Sequence, residues 1–290
     1  IIIMKKILVT GGSGYIGSVL VPMLLKIGYK VVVLDRFFFG KNLKKNKNLK
    51  IIFGDARDLN KNLFKNLYAV IDLVALSNDP SGEYFKKETY EINFRSRFNC
   101  ASLAKKNGVK RYILPSSCSV YGFNKSIVSE QSKLNPLTTY AKCNLLAEKK
   151  ILKLSNKKFC VTVLRFSTVF GFSPRMRYDL ALNGMIESAF CKKVLPVMRD
   201  GKQYRPFVHV KDCCRAIIFF LKKEINMINS QIFNIGSDNC TITINKLANI
   251  IKKSIKNLKI NWYGNPDNRS YRVDFSKSKK LGFKTKYSLK

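Results

Sequence analysis

Ile7-Leu8-Val9-Thr10-Gly11-Gly12-Ser13-Gly14-Tyr15-Ile16-Gly17 decides the fold. A short apolar run rich in β-branched residues breaks into glycines, and a helical pattern at Val19, Leu20, Met23, Leu24 and Ile27 follows at once. That order predicts a strand, a tight turn and a helix N-terminus. Gly12, Gly14 and Gly17 fit G-x-G-x-x-G, while Gly11, Gly14 and Gly17 fit G-x-x-G-x-x-G. Glycine permits the backbone angles of such a turn. It also lets a pyrophosphate approach at Gly14 and lets the helix pack close at Gly17. The helix N-terminus then presents N–H groups and a partial positive charge to the anion.

The motif gains its meaning from its neighbours. A second strand, Val31-Val32-Val33-Leu34, ends at Asp35, eighteen residues past Gly17. An acid there accepts hydrogen bonds from the ribose hydroxyls of NAD and repels the 2′-phosphate of NADP. An ordinary glycine turn would not need that distal acid.

The βα rhythm continues outward. Strands are predicted at Ile51-Ile52-Phe53, Ala69 to Leu76, Arg111 to Leu114 and Val161 to Phe166. The fourth is almost wholly apolar, as a central parallel strand is. A long helix is predicted from about Glu83 to Asn107, closed by Gly108, and another from about Thr139 to Ser155. Hydroxyl-bearing residues of Pro115-Ser116-Ser117-Cys118-Ser119-Val120-Tyr121-Gly122 follow the fifth strand, at the carboxyl edge where open α/β sheets bind ligands. Serines are also ordinary turn residues, so this loop alone leaves catalysis open.

Beyond Phe170-Gly171 the rhythm breaks down. We read residues 1–170 as a dinucleotide-binding α/β domain, with 205–236 returning to it. Residues 171–204 and 237–290 form a smaller substrate lobe in this reading.

Lys and Arg number 54 against 18 Asp and Glu, a net charge of +36. The lysines are dispersed, with one dense stretch from Lys41 to Lys50, and no zinc-finger or RNA-binding signature accompanies them. The charge favours a diphosphate-bearing substrate over specific nucleic acid. The eight cysteines form no C-x-x-C and His209 is the single histidine, which argues against a disulfide framework or a metal site. No apolar run is long enough to cross a bilayer. Ile1-Ile2-Ile3 is too short for a signal peptide's core. The expectation is a soluble, cytoplasmic protein with no membrane partner.

Taken in order, T-G-G-S-G-Y-I-G, Asp35, Gly54-Asp55-Ala56-Arg57-Asp58, Ser116 to Gly122 and Tyr140 resemble the extended short-chain dehydrogenase/reductases over nearly the whole chain. The similarity is to their nucleotide-sugar epimerase/dehydratase branch, represented by UDP-glucose 4-epimerase. The resemblance implies a Rossmann-type doubly wound parallel sheet, NAD as cofactor, a nucleotide-diphosphate sugar as substrate and a homodimer. It implies cofactor contacts at Gly11, Gly14, Tyr15, Ile16, Gly17, Asp35, Asp55, Ala56, Leu73, Ala75, Asn93 and Tyr140. Ser117 would bond the sugar oxygen and Tyr140 would be the acid/base. Substrate contacts map onto Thr168, Asn183, Arg205 and Arg269. Relatives usually continue into one more helix past Lys290, so the resemblance implies a C-terminally shortened lobe.

Three departures qualify it. The lysine expected one helical turn after Tyr140 is Asn144, and Lys142 projects from another face. A phenol with an ordinary pKa of about 10 needs help to act as a base, so an alkaline-shifted optimum is expected. The Asp-Glu pair of 4,6-dehydratases is Cys118-Ser119 here, and the acid wanted by decarboxylases is missing from the same loop. Thr168 stands where many relatives place an asparagine. Elimination favours 4-epimerisation, with keto-sugar reduction or a non-catalytic binding role as alternatives.

Overall fold

Seven strands form one parallel sheet: β1 (Lys6–Thr10), β2 (Lys30–Asp35), β3 (Leu49–Phe53), β4 (Ala69–Asp72), β5 (Arg111–Ser117), β6 (Cys160–Phe166) and β7 (Gln231–Ile235). Their spatial order is β3-β2-β1-β4-β5-β6-β7, and every neighbouring pair is parallel. The order reverses between β1 and β4, which opens a crevice at their carboxyl ends. The computed structural model describes residues 4–255, 257–265, 267 and 269–289, so Ile1-Ile2-Ile3 lie outside it.

Period-two alternation explains the two apolar layers. Ile7 and Val9 of β1 face one core with Val31 and Val33 of β2, while Leu8, Val32 and Leu34 face the other. The first core is closed by α1 (Gly17–Lys26), through Leu20, Val21 and Leu24, and by a helix at Val210–Lys222, through Ile217, Phe220 and Leu221. The second is closed by α2 (Arg97–Lys106) and α3 (Thr139–Leu152), whose small inward residues Ala101, Ala104 and Ala147 let both helices approach. Burial on both faces is why these strands read as continuous apolar runs. β3, at the sheet edge, leaves Phe53 exposed.

Gly17 sets the contact between α1 and the turn. A Cβ there would lie 2.5 Å from the Gly12 carbonyl oxygen and 2.6 Å from that of Gly11. Gly17→Ala is therefore expected to push the helix off the turn, costing about 1–3 kcal/mol in a urea melt and weakening dinucleotide binding.

Two expectations are corrected by the fold. The fourth strand ends at Asp72, not Leu76, because the last sheet bond there runs from Leu73 N–H to the Thr10 carbonyl. The long helix after it is broken into Asp79–Tyr84, Lys86–Tyr90, a π-helical turn at Glu91–Ser96 and α2. The Val210–Lys222 helix packs on the seven-stranded sheet and β7 is its edge strand, while Tyr204–His209 pairs with Thr168–Phe170 and Thr241–Thr243 in a separate sheet. A separate core holds Ala189, Leu195, Val197 and Leu247, fully or almost fully buried. All eight cysteines are free, and all but Cys191 are buried. No described helix is long and apolar enough to cross a membrane.

Candidate active site

The glycine turn lies at the switch point. Gly11 has φ +67°, and a Cβ there would meet the Leu73–Val74 peptide at 3.0–3.1 Å. The turn therefore presses on the exit of β4. At Gly14 a Cβ would meet only the Gly11 carbonyl, at 3.2 Å, so its other side is open for a pyrophosphate at the start of α1. Asp35 accepts from Ser13 N–H at 2.9 Å and Phe37 N–H at 2.8 Å. Its carboxylate keeps lone pairs for ribose hydroxyls. These residues fit a dinucleotide.

The other cofactor candidates divide into those facing outward and those clasping the frame. Asp55 is bound by Arg57, at 2.6 Å, and by Arg36, at 2.9 Å. The Arg57 hydrogen bonds hold its carboxyl down to about 2, so this side chain is ionised and paired with both arginines; Ala56 beside it is buried. Asn93, wholly buried, takes the Leu76 N–H at 2.8 Å and donates to the Leu76 carbonyl at 2.9 Å. It fixes the path that carries half-buried Leu73 and Ala75. Ile16 packs on the core. Tyr15 donates to the Gly171 carbonyl at 2.6 Å, and burial pushes its phenol up to about 12.

Ser117 closes β5 and caps the short turn Cys118–Tyr121, its Oγ accepting from Ser119 N–H at 3.1 Å. Cys118 points into the core; its thiol donates to the Arg165 carbonyl, and burial raises it to about 12. The hydroxyl of Ser119 is buried with no partner among the described residues. The turn itself supplies no carboxylate.

Tyr140 sits in the first turn of α3, which packs against the Cys118–Tyr121 turn. Thr138 starts that helix by accepting from Ala141 N–H at 3.2 Å while donating to Asp79 Oδ1 at 2.8 Å. Tyr140, Asn144 and Glu148 follow at four-residue spacing and share a face, whereas Lys142 is exposed. Burial and the Asp79 carboxylate push the Tyr140 phenol above its ordinary value. Arg97, Arg177 and the Asn144 side chain pull it back.

Cations line the far side. Arg205 pairs with Asp267 at 2.6 Å, and Arg269 joins the same Asp267 at 2.9 Å and Asp79 at 2.5 Å. Arg177 donates to the Ser77 hydroxyl at 2.7 Å and pairs with Asp179 at 2.6 Å. Asn183 is buried; its amide donates to Tyr15 OH and the Arg177 carbonyl and accepts from Gly171 N–H. Both its N–H donors are thus taken within the protein, and it clasps the smaller lobe to the glycine turn. Thr168 is half-buried at the start of its strand.

Asp79, Arg97 and Arg177 were not among the sequence candidates. A signal existed for Arg97: it shares a helix face with Cys100, Ala101 and Ala104, all buried, and a charge on a buried face asks for a reason. Asp72 carried the same signal in an apolar strand. Asp79 and Arg177 meet the site only through folding.

A profile of the NAD dependent epimerase/dehydratase family matches residues 7–236. The chain is 30% identical to a putative UDP-glucose 4-epimerase of Methanocaldococcus jannaschii, over 98% of its own length and 94% of that protein's. It is 32% identical to a UDP-N-acetyl-alpha-D-glucosaminuronate decarboxylase of Bacillus cytotoxicus, over 81% and 75%. The UDP-glucuronic acid 4-epimerase of Bacillus cereus, solved with UDP-glucuronic acid and NAD, superposes with a TM-score of 0.89 at 27% identity, covering 98% of this chain and 95% of that one. With the phosphate cradle, the distal acid and this match over most of the chain, the protein belongs to the NAD-dependent epimerase/dehydratase family and uses NAD as its cofactor.

Proposed function

We propose that this protein epimerises a nucleotide-diphosphate sugar at C4. The observation that carries the reading is that α3, with Tyr140 in its first turn, packs against the turn that Ser117 caps at the end of β5, and that this turn contributes no carboxylate. Relatives named as 4-epimerases of UDP-sugars support the substrate class, and a relative named as a decarboxylase marks the alternative outcome. NAD, when bound, supplies a reversible hydride acceptor. Tyr140 takes the proton of the sugar hydroxyl as the ketone forms and returns it on reduction, and Ser117 holds the same oxygen. Epimerisation would require no second acid, only that the ketone turn its other face before it is reduced. Decarboxylation and 4,6-dehydration need further proton transfers, for which the Cys118–Tyr121 turn offers only a buried thiol and hydroxyls. Arg205 and Arg269, which both pair with Asp267, are the cations that would receive the diphosphate in its place.

The test is to incubate the purified protein and NAD with UDP-glucose, UDP-glucuronic acid and UDP-N-acetylglucosamine, following products by proton NMR. The expected result is a C4 epimer with no NADH accumulating at 340 nm. Stoichiometric NADH or release of carbon dioxide would replace the proposal by an oxidoreductase or a lyase.

A further inference from the structure

Tyr140 lacks the lysine expected one turn later, yet a cation reaches the same place from another helix. Arg97 opens α2 directly after the π-helical turn at Glu91–Ser96, and wide turns of this kind are frequent at functional sites. Its side chain is 2% exposed. One Nη donates to the Asn144 Oδ1 at 3.0 Å; the other donates to the Asp72 carbonyl at 3.3 Å and to the Pro115 carbonyl. Asn144, 1% exposed, turns its amide nitrogen back to the Tyr140 carbonyl at 3.1 Å. Arg97 and Asn144 are therefore one hydrogen-bonded unit behind Tyr140.

We propose that Arg97 is the positioning cation for Tyr140, acting through Asn144 in the place of the missing lysine. The inference rests on reading Tyr140 as the acid/base. It explains why position 144 is an asparagine. A lysine there would set a second buried cation against the guanidinium, which cannot lose its proton, whereas a carboxamide accepts from Arg97 on one side and donates to the Tyr140 carbonyl on the other.

Charged groups face the pair from several elements, and one of them, Asp79, pairs with Arg269. Facing Tyr140 are Asp79 from the Asp79–Tyr84 helix, which opposes ionisation, and Arg177 from the smaller lobe, which favours it. Glu83 accepts from the Thr139 N–H at 2.6 Å, at the start of α3. Facing Arg97 are Cys100 of its own helix, Tyr112 of β5 and Asp72 of β4. The Asp72 carboxylate accepts from Thr10 at 2.5 Å and from Tyr112 and stands 3.8 Å from the Arg97 Nε, which has no hydrogen-bond partner among the described residues. Asp72 thus balances the charge from the side away from Asn144.

The test uses the full chain with NAD bound, tyrosines labelled with 13C at Cζ, and the Tyr140 resonance assigned by its loss in Tyr140→Phe. Arg97→Gln is expected to raise the Tyr140 titration midpoint by about one pH unit, and Arg97→Gln with Asn144→Lys to bring it back to the wild-type value. An unchanged midpoint in folded Arg97→Gln overturns the proposal, as does a double variant that leaves it raised. If Arg97→Gln does not fold, the double variant decides alone: a wild-type midpoint supports the proposal, and a raised midpoint or a failure to fold overturns it. Turnover is not the readout, so a protein that epimerises no sugar answers the question equally well.

Discussion

Tyr140→Phe is expected to lower sugar epimerisation by about 10²–10⁴-fold, the contribution of a positioned acid/base, while leaving NAD binding and stability nearly unchanged. The substitution removes one oxygen and keeps the ring, so the packing of α3 on the neighbouring helix survives. The helix start survives too, because Thr138 supplies the N-cap and Asp79 holds Thr138. NAD affinity should persist because the pyrophosphate cradle and Asp35 come from β1, α1 and β2. Equilibrium dialysis of NAD, a thermal melt and NMR assay of the same preparation make the comparison. A Phe variant that retains turnover would remove Tyr140 from the chemistry and with it the proposed mechanism.

The second large effect is structural. Glu148 follows Asn144 by one turn on the inward face of α3 and meets Arg165 of β6 at 2.6 Å, each side chain 1% exposed. Glu148 also accepts from Ser116 at 2.5 Å, the residue before Ser117. Arg165 continues to Tyr121 at 2.9 Å, and Tyr121 donates to Asn234 of β7 at 2.8 Å. Burial works against the Arg165 charge, and the bonds to Glu148 and Tyr121 more than offset it. Glu148→Ala leaves that guanidinium buried and unpaired, which costs about 3–5 kcal/mol. For a chain of this size the midpoint of a thermal melt should fall by about 10 °C. Replacing both partners by apolar residues, Glu148→Met with Arg165→Met, should recover much of the loss. A Glu148→Ala melt within 2 °C of wild type would show that the pair is not what holds α3 against the sheet.

The contrast between these residues explains what a reader of the chain can see. The sheet was legible because each strand carries its signal locally: apolar runs at Ile7 to Val9, Val31 to Leu34 and Val161 to Phe166 end at glycine, aspartate or turn residues. The glycine turn and Asp35 were legible because they stand within one βαβ unit, where spacing along the chain nearly determines spacing in three dimensions. The end of β4 was misplaced because Leu73 to Leu76 are apolar for another reason. They leave the sheet to run under the glycine turn, and Asn93 takes the main-chain N–H and carbonyl of Leu76. The helix after β4 is interrupted at Phe85, whose backbone leaves the helical region, and then runs through a π-helical turn that has almost the same residue pattern as an α-helix.

By itself the sequence determined the strand–turn–helix units and the glycine turn with its distal acid, since these follow from residue type at short separation, while the doubly wound order and the gap left by Asn144 were read from the family resemblance. Only the tertiary structure decided how that gap is met. Arg97 lies 47 residues from Asn144 and 25 from Asp72, and nothing in a chain marks which distant helix will deliver a guanidinium to a given carboxamide. The same holds for Asp79 and Arg269, 190 residues apart and 2.5 Å from each other. Charge is read in a sequence as a count, but its effect falls off with distance in space, so the electrostatics of Tyr140 belong to the fold.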